Sequence, residues 1–218
     1  MTLVSTLFAG VLFGLALAAP PGPMNAIIAE EAVLRGWAAG FKTGLGAMSA
    51  DILFFVLALA GVVTFIRRFP AVQDAMFLVG GLLMLYFAVG AVRGIGGQFQ
   101  PTSQPEIRGF SKAFVLSLSN PYQILFWLTA GVGLLTPGTV DVLSYVSASL
   151  AGVIVIQTGD PALIIGLFGG IFGWIIGFPA ALSAAQSRTE AFAPIVASGS
   201  AVVLAGFGLY FLAAVLLF

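Results

Sequence analysis

The sequence predicts an all-α integral membrane protein with six transmembrane helices, arranged as two inverted three-helix repeats. Three observations lead there. Of 218 residues, 60% are hydrophobic and only 7% charged, and the mean hydropathy is +1.13. A soluble domain carries about 25% charged residues, so this chain cannot clothe a surface in water. The apolar residues are gathered into runs close to the ~20 residues that cross a bilayer. Helix-breaking prolines then recur in the first and the fourth of these runs. The length suits a single domain over residues 1–218.

Composition also excludes. Eight basic and eight acidic residues give zero net charge, so no basic field exists to attract nucleic acid. Cysteine is absent, which removes disulfides, thiolate metal sites and thiol redox chemistry. Histidine is absent too, and with it the commonest metal ligand and general base. No cofactor is expected.

The first span covers about residues 3–19. A cleaved signal peptide is the alternative, because Ala16-Leu17-Ala18 resembles a cleavage site. The lack of a positive charge before the run and the early Pro20 argue for a retained helix. The second span is 43–66, closed by Arg67-Arg68, and the third is 75–92, closed by Arg93. A polar linker at 94–112, rich in Gly, Pro and Gln, reads as a loop. The fourth span is 113–136, ended by Pro137-Gly138. Residues 141–185 are too long for one span, since such a helix reaches roughly 65 Å. Gly159-Asp160-Pro161 divides them and leaves 162–185 as the fifth span. The outer loop, 137–161, carries Asp141, Ser144 and Ser147 at intervals of three. That pattern predicts a helix over 141–158 that lies on the membrane surface or dips into it; a seventh span is the alternative. The last span is 192–218.

Charge placement orients the chain. Arg35, Lys42, Arg93, Arg108, Lys112 and Arg188 fall in the first, third and fifth loops, and only Arg67 and Arg68 fall opposite. The positive-inside rule puts the first group in the cytoplasm and both termini outside, in the cytoplasmic (inner) cell membrane. A seventh span would carry Arg188 across and weaken the bias.

The break in the first run is APPGPMN, residues 19–25. Lipid offers no partner to an orphaned backbone group, so irregular backbone at membrane depth must line a cavity or be buried in protein. Pro20, Pro21 and Pro23 lack an N–H and leave the carbonyls of Ala16, Leu17 and Ala19 without helical donors. Gly22 permits a sharp bend, and Pro23 suits the first position of a new helix. Asn25 then sits at a fresh helix N-terminus, a place that attracts anions such as a carboxylate. The other reading ends the first span at the cytoplasmic interface. The fourth run favours the break: SLSNPYQ at 117–123 puts Asn120 and Pro121 roughly 12 Å inside from Lys112. Matching interruptions in the first spans of two inverted halves point to a transporter's central site.

These motifs carry a resemblance. PPGPMNAI at 20–27, RGWAAGFKTGLGA at 35–47, Asp51, and GFSKAFVLSLSNPYQILFW at 109–127 resemble the lysine exporter (LysE/RhtB) family of amino-acid exporters. The family's motif usually reads Asn-Pro-Lys where this chain has Asn120-Pro121-Tyr122. The likeness covers spans one to four; spans five and six fit in hydropathy. It implies a six-span carrier that exports amino acids or related metabolites, commonly by exchange with protons.

Asp51 is the sharpest candidate residue. It lies roughly 13 Å from Lys42 along the helix, near mid-bilayer, where a carboxylate is costly and marks a pathway by default. It either exchanges the coupling proton or meets a substrate ammonium; the structural alternative is a protonated Asp bonded to an opened helix. Gly22, Pro23, Asn25, Asn120 and Pro121 are the substrate-binding candidates, against an alternative in which the two Asn cap broken helix ends. Glu31 and Arg35 have the spacing of a helical ion pair. Glu30, Glu31, Arg35 and Lys42 read as a solvated loop face, with Glu30 kept as a second ion-coupling candidate because it lies nearest the break. Gly40 and Gly44, and Gly169, Gly173 and Gly177, recur at intervals of four that permit close helix contact in lipid, within the chain or in a homodimer. Phe126 and Trp127 read as packing or interface residues.

The reading is a secondary transporter, not an enzyme, that exports an amino acid or another small zwitterion against protons, with lipid as its surroundings. An exporter of inorganic ions or other small metabolites is the alternative, though soft metals lack His and Cys ligands. An intramembrane enzyme lacks a Ser–His pair. A non-transporting scaffold has no need of two broken helices.

Overall fold

The computed structural model describes residues 3–20, 22–60, 70–96, 107–120, 123, 126–127, 131–141, 155–187 and 192–217. The helices are α1 (Leu3–Ala18), α2 (Pro23–Arg35), α3 (Trp37–Leu59), α4 (Pro70–Gly96), α5 (Ile107–Leu118), the single turn α6 (Val132–Leu135), α7 (Pro161–Gln186) and α8 (Phe192–Leu217). Strands β1 (Gly138–Asp141) and β2 (Val155–Thr158) pair antiparallel, Gly138 opposite Thr158 and Asp141 opposite Val155. Among the described residues, three stretches are long and apolar enough to cross a membrane: α3, α7 and, within α8, Pro194–Ala213. The pair α1–α2, bent by 83° at its break, adds a fourth if taken as one span.

Glycines set how the helices meet. On α1, a Cβ at Gly10 or Gly14 would collide with the carbonyls of Leu163 and Leu167 on α7. On α7, Gly166 and Gly170 face the carbonyls of Leu7 and Val11 in return. Gly46 of α3 abuts the backbone of Phe110 on α5. Gly81 of α4 and Gly208 of α8 each lie against the other's carbonyl, where a Cβ would stand 3.0 Å away. Backbones approach this closely only where side chains are absent, and in lipid such packing is a main source of helix association. Gly40 and Gly44 act as their spacing predicts, against Ala32, Pro179 and Ile175. Gly173 and Gly177 meet nothing within 4 Å, so α7 makes its internal contact one residue row away, through Gly166 and Gly170.

Two apolar clusters result. One joins Phe54, Trp127, Leu163, Leu167 and Ile171, and the other Ile27, Met84, Leu116, Leu204 and Phe211.

Several expected boundaries move. The first loop is absent: Gly36, at φ +87°, turns α2 directly into α3, a conformation that glycine alone adopts freely. The helix α3 therefore starts at Trp37 rather than at 43. Packed among α3, α5, α7 and α8, α2 buries Glu30 and Glu31, which are 8% and 7% exposed. The solvated face expected for them is thus corrected. Helix α4 outruns the expected 75–92 at both ends. The linker's last residues belong to α5, which begins at Ile107 and stops at Leu118, with Ser119 in a turn. The outer loop is corrected too: 138–141 and 155–158 are strands, not a surface or re-entrant helix. Their β-branched Thr139, Val140, Val155 and Ile156 suit a pleated surface. Ser144 and Ser147, Arg67 and Arg68, Arg188, Pro121 and Tyr122 lie outside the described residues.

Candidate functional site

At the break between α1 and α2 the chain lines a half-open cavity of about 400 Å³ where the two apolar clusters meet. It brings together Gly22, Pro23, Asn25, Asp51 and Asn120 from the residues singled out in the sequence. Glu30 does not line it, and Pro121 lies outside the described residues. Most of the wall is apolar: Met24, Ile28, Met48, Phe126, Ile171, Ile175 and Phe207 among others. Asp51 is the one charged side chain among the described lining residues.

Pro23 occupies the first turn of α2, as its fixed φ and missing N–H favour. The first-turn N–H groups of any helix lack intrahelical acceptors, and Met24 and Asn25 put that end of α2 at the cavity wall. Asn25 has a different task from the one that first suggests itself. Its Nδ2 donates to the carbonyls of Ala18, 2.6 Å, and Pro20, 2.9 Å, while its Oδ1 accepts from Trp174 Nε1 at 3.0 Å. The carboxamide thereby stitches the two halves of the break together and ties both to α7. Removing it orphans the part-buried Ala18 carbonyl and Trp174 indole N–H, each at a cost of up to about 1–3 kcal/mol, while the exposed Pro20 carbonyl can turn to water. Asn25→Ala is therefore expected to lower the melting temperature in detergent clearly more than Trp174→Phe, which orphans only the Asn25 oxygen; equal shifts would refute the stitch.

Asp51 projects from α3, and its Oδ1 accepts from Trp127 Nε1 at 2.9 Å. The Gln123 carboxamide donates to the same carboxylate. Gln123 also lines the cavity, and its buried Oε1 has no hydrogen-bond partner. Trp127, fully buried, packs against Phe55 and Phe168 as expected, but it also holds Asp51. Sequence reasoning missed Gln123 and Trp174. Gln123 carried a signal, a polar residue three positions after Asn120 in an apolar span; Trp174 carried none.

Glu30 forms a second centre. It pairs with Lys112 of α5 at 3.4 Å, and the ammonium sits 4.9 Å from the centroid of the Phe87 ring on α4. Next to it Glu31 meets Arg35 at 3.3 Å, the ion pair their spacing predicts. These contacts clamp α2 to α5 and α4. Breaking a buried pair from one side costs about 3–5 kcal/mol, whereas replacing both partners by apolar residues is often neutral. Lys112→Met should destabilise the protein in thermal unfolding, and adding Glu30→Leu should restore most of the loss. A double variant as unstable as the single one would show that the pair is not what holds these helices.

Among the described residues, no three acidic side chains converge as metal ligands.

Residues 15–214 match a family profile described as LysE type translocator. YcgF of Bacillus subtilis, named as a candidate amino acid efflux protein, is 33% identical over 122 residues, 54% of this chain and 58% of that protein. An uncharacterized membrane protein of Pseudomonas aeruginosa is 28% identical over 137 residues, 59% of this chain and 62% of its own length. The leucine efflux protein of Salmonella typhimurium is 29% identical over 113 residues, 50% of this chain and 53% of its own. The alignments thus span only about half to three-fifths of these relatives. No solved structure matches the chain significantly. With the profile running from the end of α1 almost to the end of α8, the chain belongs to the LysE type translocator family.

Proposed function

We propose that this protein is a secondary transporter that exports amino acids or related small zwitterionic metabolites across the cytoplasmic membrane in exchange for protons. The observation that carries the reading is the cavity at the helix break, with a carboxylate and a helix N-terminus in one apolar wall. A zwitterion needs both: its ammonium pairs with Asp51, and its carboxylate faces the first turn of α2, where the helix dipole favours an anion. Apolar side chains are accommodated by Met24, Met48, Phe126, Ile171 and Phe207. The efflux names carried by relatives in two organisms fit this substrate class.

The helix contacts favour a six-span inverted repeat. Taking α1–α2, α3, α4, the span opened by α5, α7 and α8 as spans one to six, exchanging the halves turns the α1–α7 contact into that between α5 and α3. It returns the α4–α8 contact to itself, and all three are among the main helix contacts. Both termini outside follows from the distribution of Lys and Arg. For proton coupling Asp51 comes first, because it faces the cavity; Glu30, held by Lys112, comes second.

The test feeds a panel of dipeptides to cells with and without the protein and times the release of free amino acids. Rapid release of a subset by the expressing cells is expected. No release, with the protein folded in the membrane, would turn the assignment toward ions or other metabolites.

A further inference from the structure

A second cavity, of about 300 Å³, lies beside the first. It is a half-open crevice between α7 and α8, two helices that barely touch each other, with residues of α2 completing its wall. Small residues dominate it: Ala19, Ala26, Ala29, Gly199 and Ser200. Ser200 is tied across it, its hydroxyl donating to the Ala26 carbonyl at 2.7 Å. The transport reading gives this space no task.

The two cavities share three of their described lining residues, Gly22, Asn25 and Trp174. Gly22 has no side chain, and a Cβ there would meet nothing within 4 Å. Asn25 is short, and its Nδ2 is committed to the carbonyls of Ala18 and Pro20. The bulk that separates the cavities is therefore the Trp174 indole. Two contacts hold it: Nε1 donates to Asn25 Oδ1 at 3.0 Å, and the ring stacks on Phe178 with 5.0 Å between centroids and 13° between planes. Phe178 lines the crevice and not the first cavity, whereas Ile171 and Ile175 of the same helix line the first cavity and not the crevice. Trp174 thus stands at the boundary, fixed from both sides.

We propose that Trp174 is a specificity-determining residue, a partition that sets the longest side chain the transporter accepts. Asp51 is the one charged group among the described lining residues, so among apolar amino acids size is what remains to be read. A side chain that outgrows the first cavity meets the indole, and space resumes beyond it in the crevice. An aromatic ring has only two torsions with which to yield, and this one is bonded at its nitrogen and stacked on its face. This inference rests on the export reading and adds to it the residue that limits substrate size.

The test uses the purified full chain in lipid nanodiscs and a homologous series: L-alanine, L-norvaline, L-norleucine and L-2-aminooctanoate. Each competes against radiolabelled L-leucine, so that occupancy of the site is read and not partition into lipid. Each methylene that is buried raises affinity about fourfold. In the unaltered protein the rise should stop before 2-aminooctanoate. In Trp174→Ala, which leaves Asn25 bonded to Ala18 and Pro20, it should continue through 2-aminooctanoate, with a gain of about tenfold or more for that ligand. Trp174→Leu, the milder opening, should shift the limit the same way by less. Trp174→Phe loses the bond to Asn25 but keeps a ring against Phe178, and its limit should stay in place. Adding Gly199→Phe to Trp174→Ala should refill the crevice and bring the limit back, because a Cβ at Gly199 meets nothing within 4 Å and Gly199 lines only the crevice. An affinity that climbs through 2-aminooctanoate in the unaltered protein would overturn the partition without any variant. The same limit in the Ala or Leu variant as in the unaltered protein, or a Phe variant shifted as far as the Ala variant, would overturn it too. An unaltered protein that binds no member of the series, L-leucine included, would overturn the export reading and the partition with it.

Discussion

Replacing Asp51 by Asn should abolish proton-driven export while leaving the protein folded. The substitution is isosteric, and the Asn oxygen still accepts from Trp127 Nε1, the bond that now measures 2.9 Å. What it removes is the charge. No other charged group stands among the described lining residues, so a substrate ammonium would enter an uncompensated apolar site. Truncating one partner of a buried charge pair costs about 2–5 kcal/mol, a loss of roughly thirtyfold or more in affinity. Export from cells loaded with dipeptide, with membrane abundance measured in parallel, is the readout. An Asp51→Asn protein with full, proton-dependent export would refute the assignment, leave Asp51 as structural glue, and move attention to Glu30.

A leucine at Gly10 or Gly166 should have the largest effect on stability. At either position even a Cβ would collide with a backbone carbonyl of the facing helix, Leu163 for Gly10 and Leu7 for Gly166. Backbone cannot swing aside as a flexible side chain does, so α1 and α7 must separate. Overpacking costs about 1–3 kcal/mol in ordinary cores and more where relief is blocked. The upper end or beyond is expected here. Gly173→Leu is the control: the same helix and the same substitution, but open space around the Cβ, where a shift within about 0.5 kcal/mol is expected. Thermal unfolding in detergent separates the two cases, and equal shifts at Gly166 and Gly173 would refute the close-packed seam. Because α1 ends at the cavity, moving it also displaces the Ala18 carbonyl that Asn25 holds, so export should fall with stability.

Much of the architecture was legible residue by residue. Membrane class follows from charge and hydropathy, which no fold can alter. The end of α1 at Ala18 and the start of α2 at Pro23 follow from proline's missing N–H, a covalent property. Asp51 stood out because a carboxylate in an apolar run has few bland explanations. Glu30 and Glu31 misled for an equally local reason: charges near a break resemble a loop until something packs over them. The helix expected over 141–158 is replaced by strand at its two ends, 141 and 155–158, because a spacing of three is a weak signal against β-branched residues whose strand partner is distant in sequence.

What tertiary structure alone decided is who meets whom. Asn25 finds Trp174 across 149 positions, Asp51 finds Trp127 across 76, and Glu30 finds Lys112 across 82. A sequence shows which groups need a partner, because burying a polar group has a fixed chemical cost. Which partner answers depends on helix contacts set by glycines far apart in the chain. The apolar runs and prolines therefore made the break and the carboxylate predictable, while the use of Asn25 as a stitch and of Gln123 as a neighbour of Asp51 emerged only once the helices were packed.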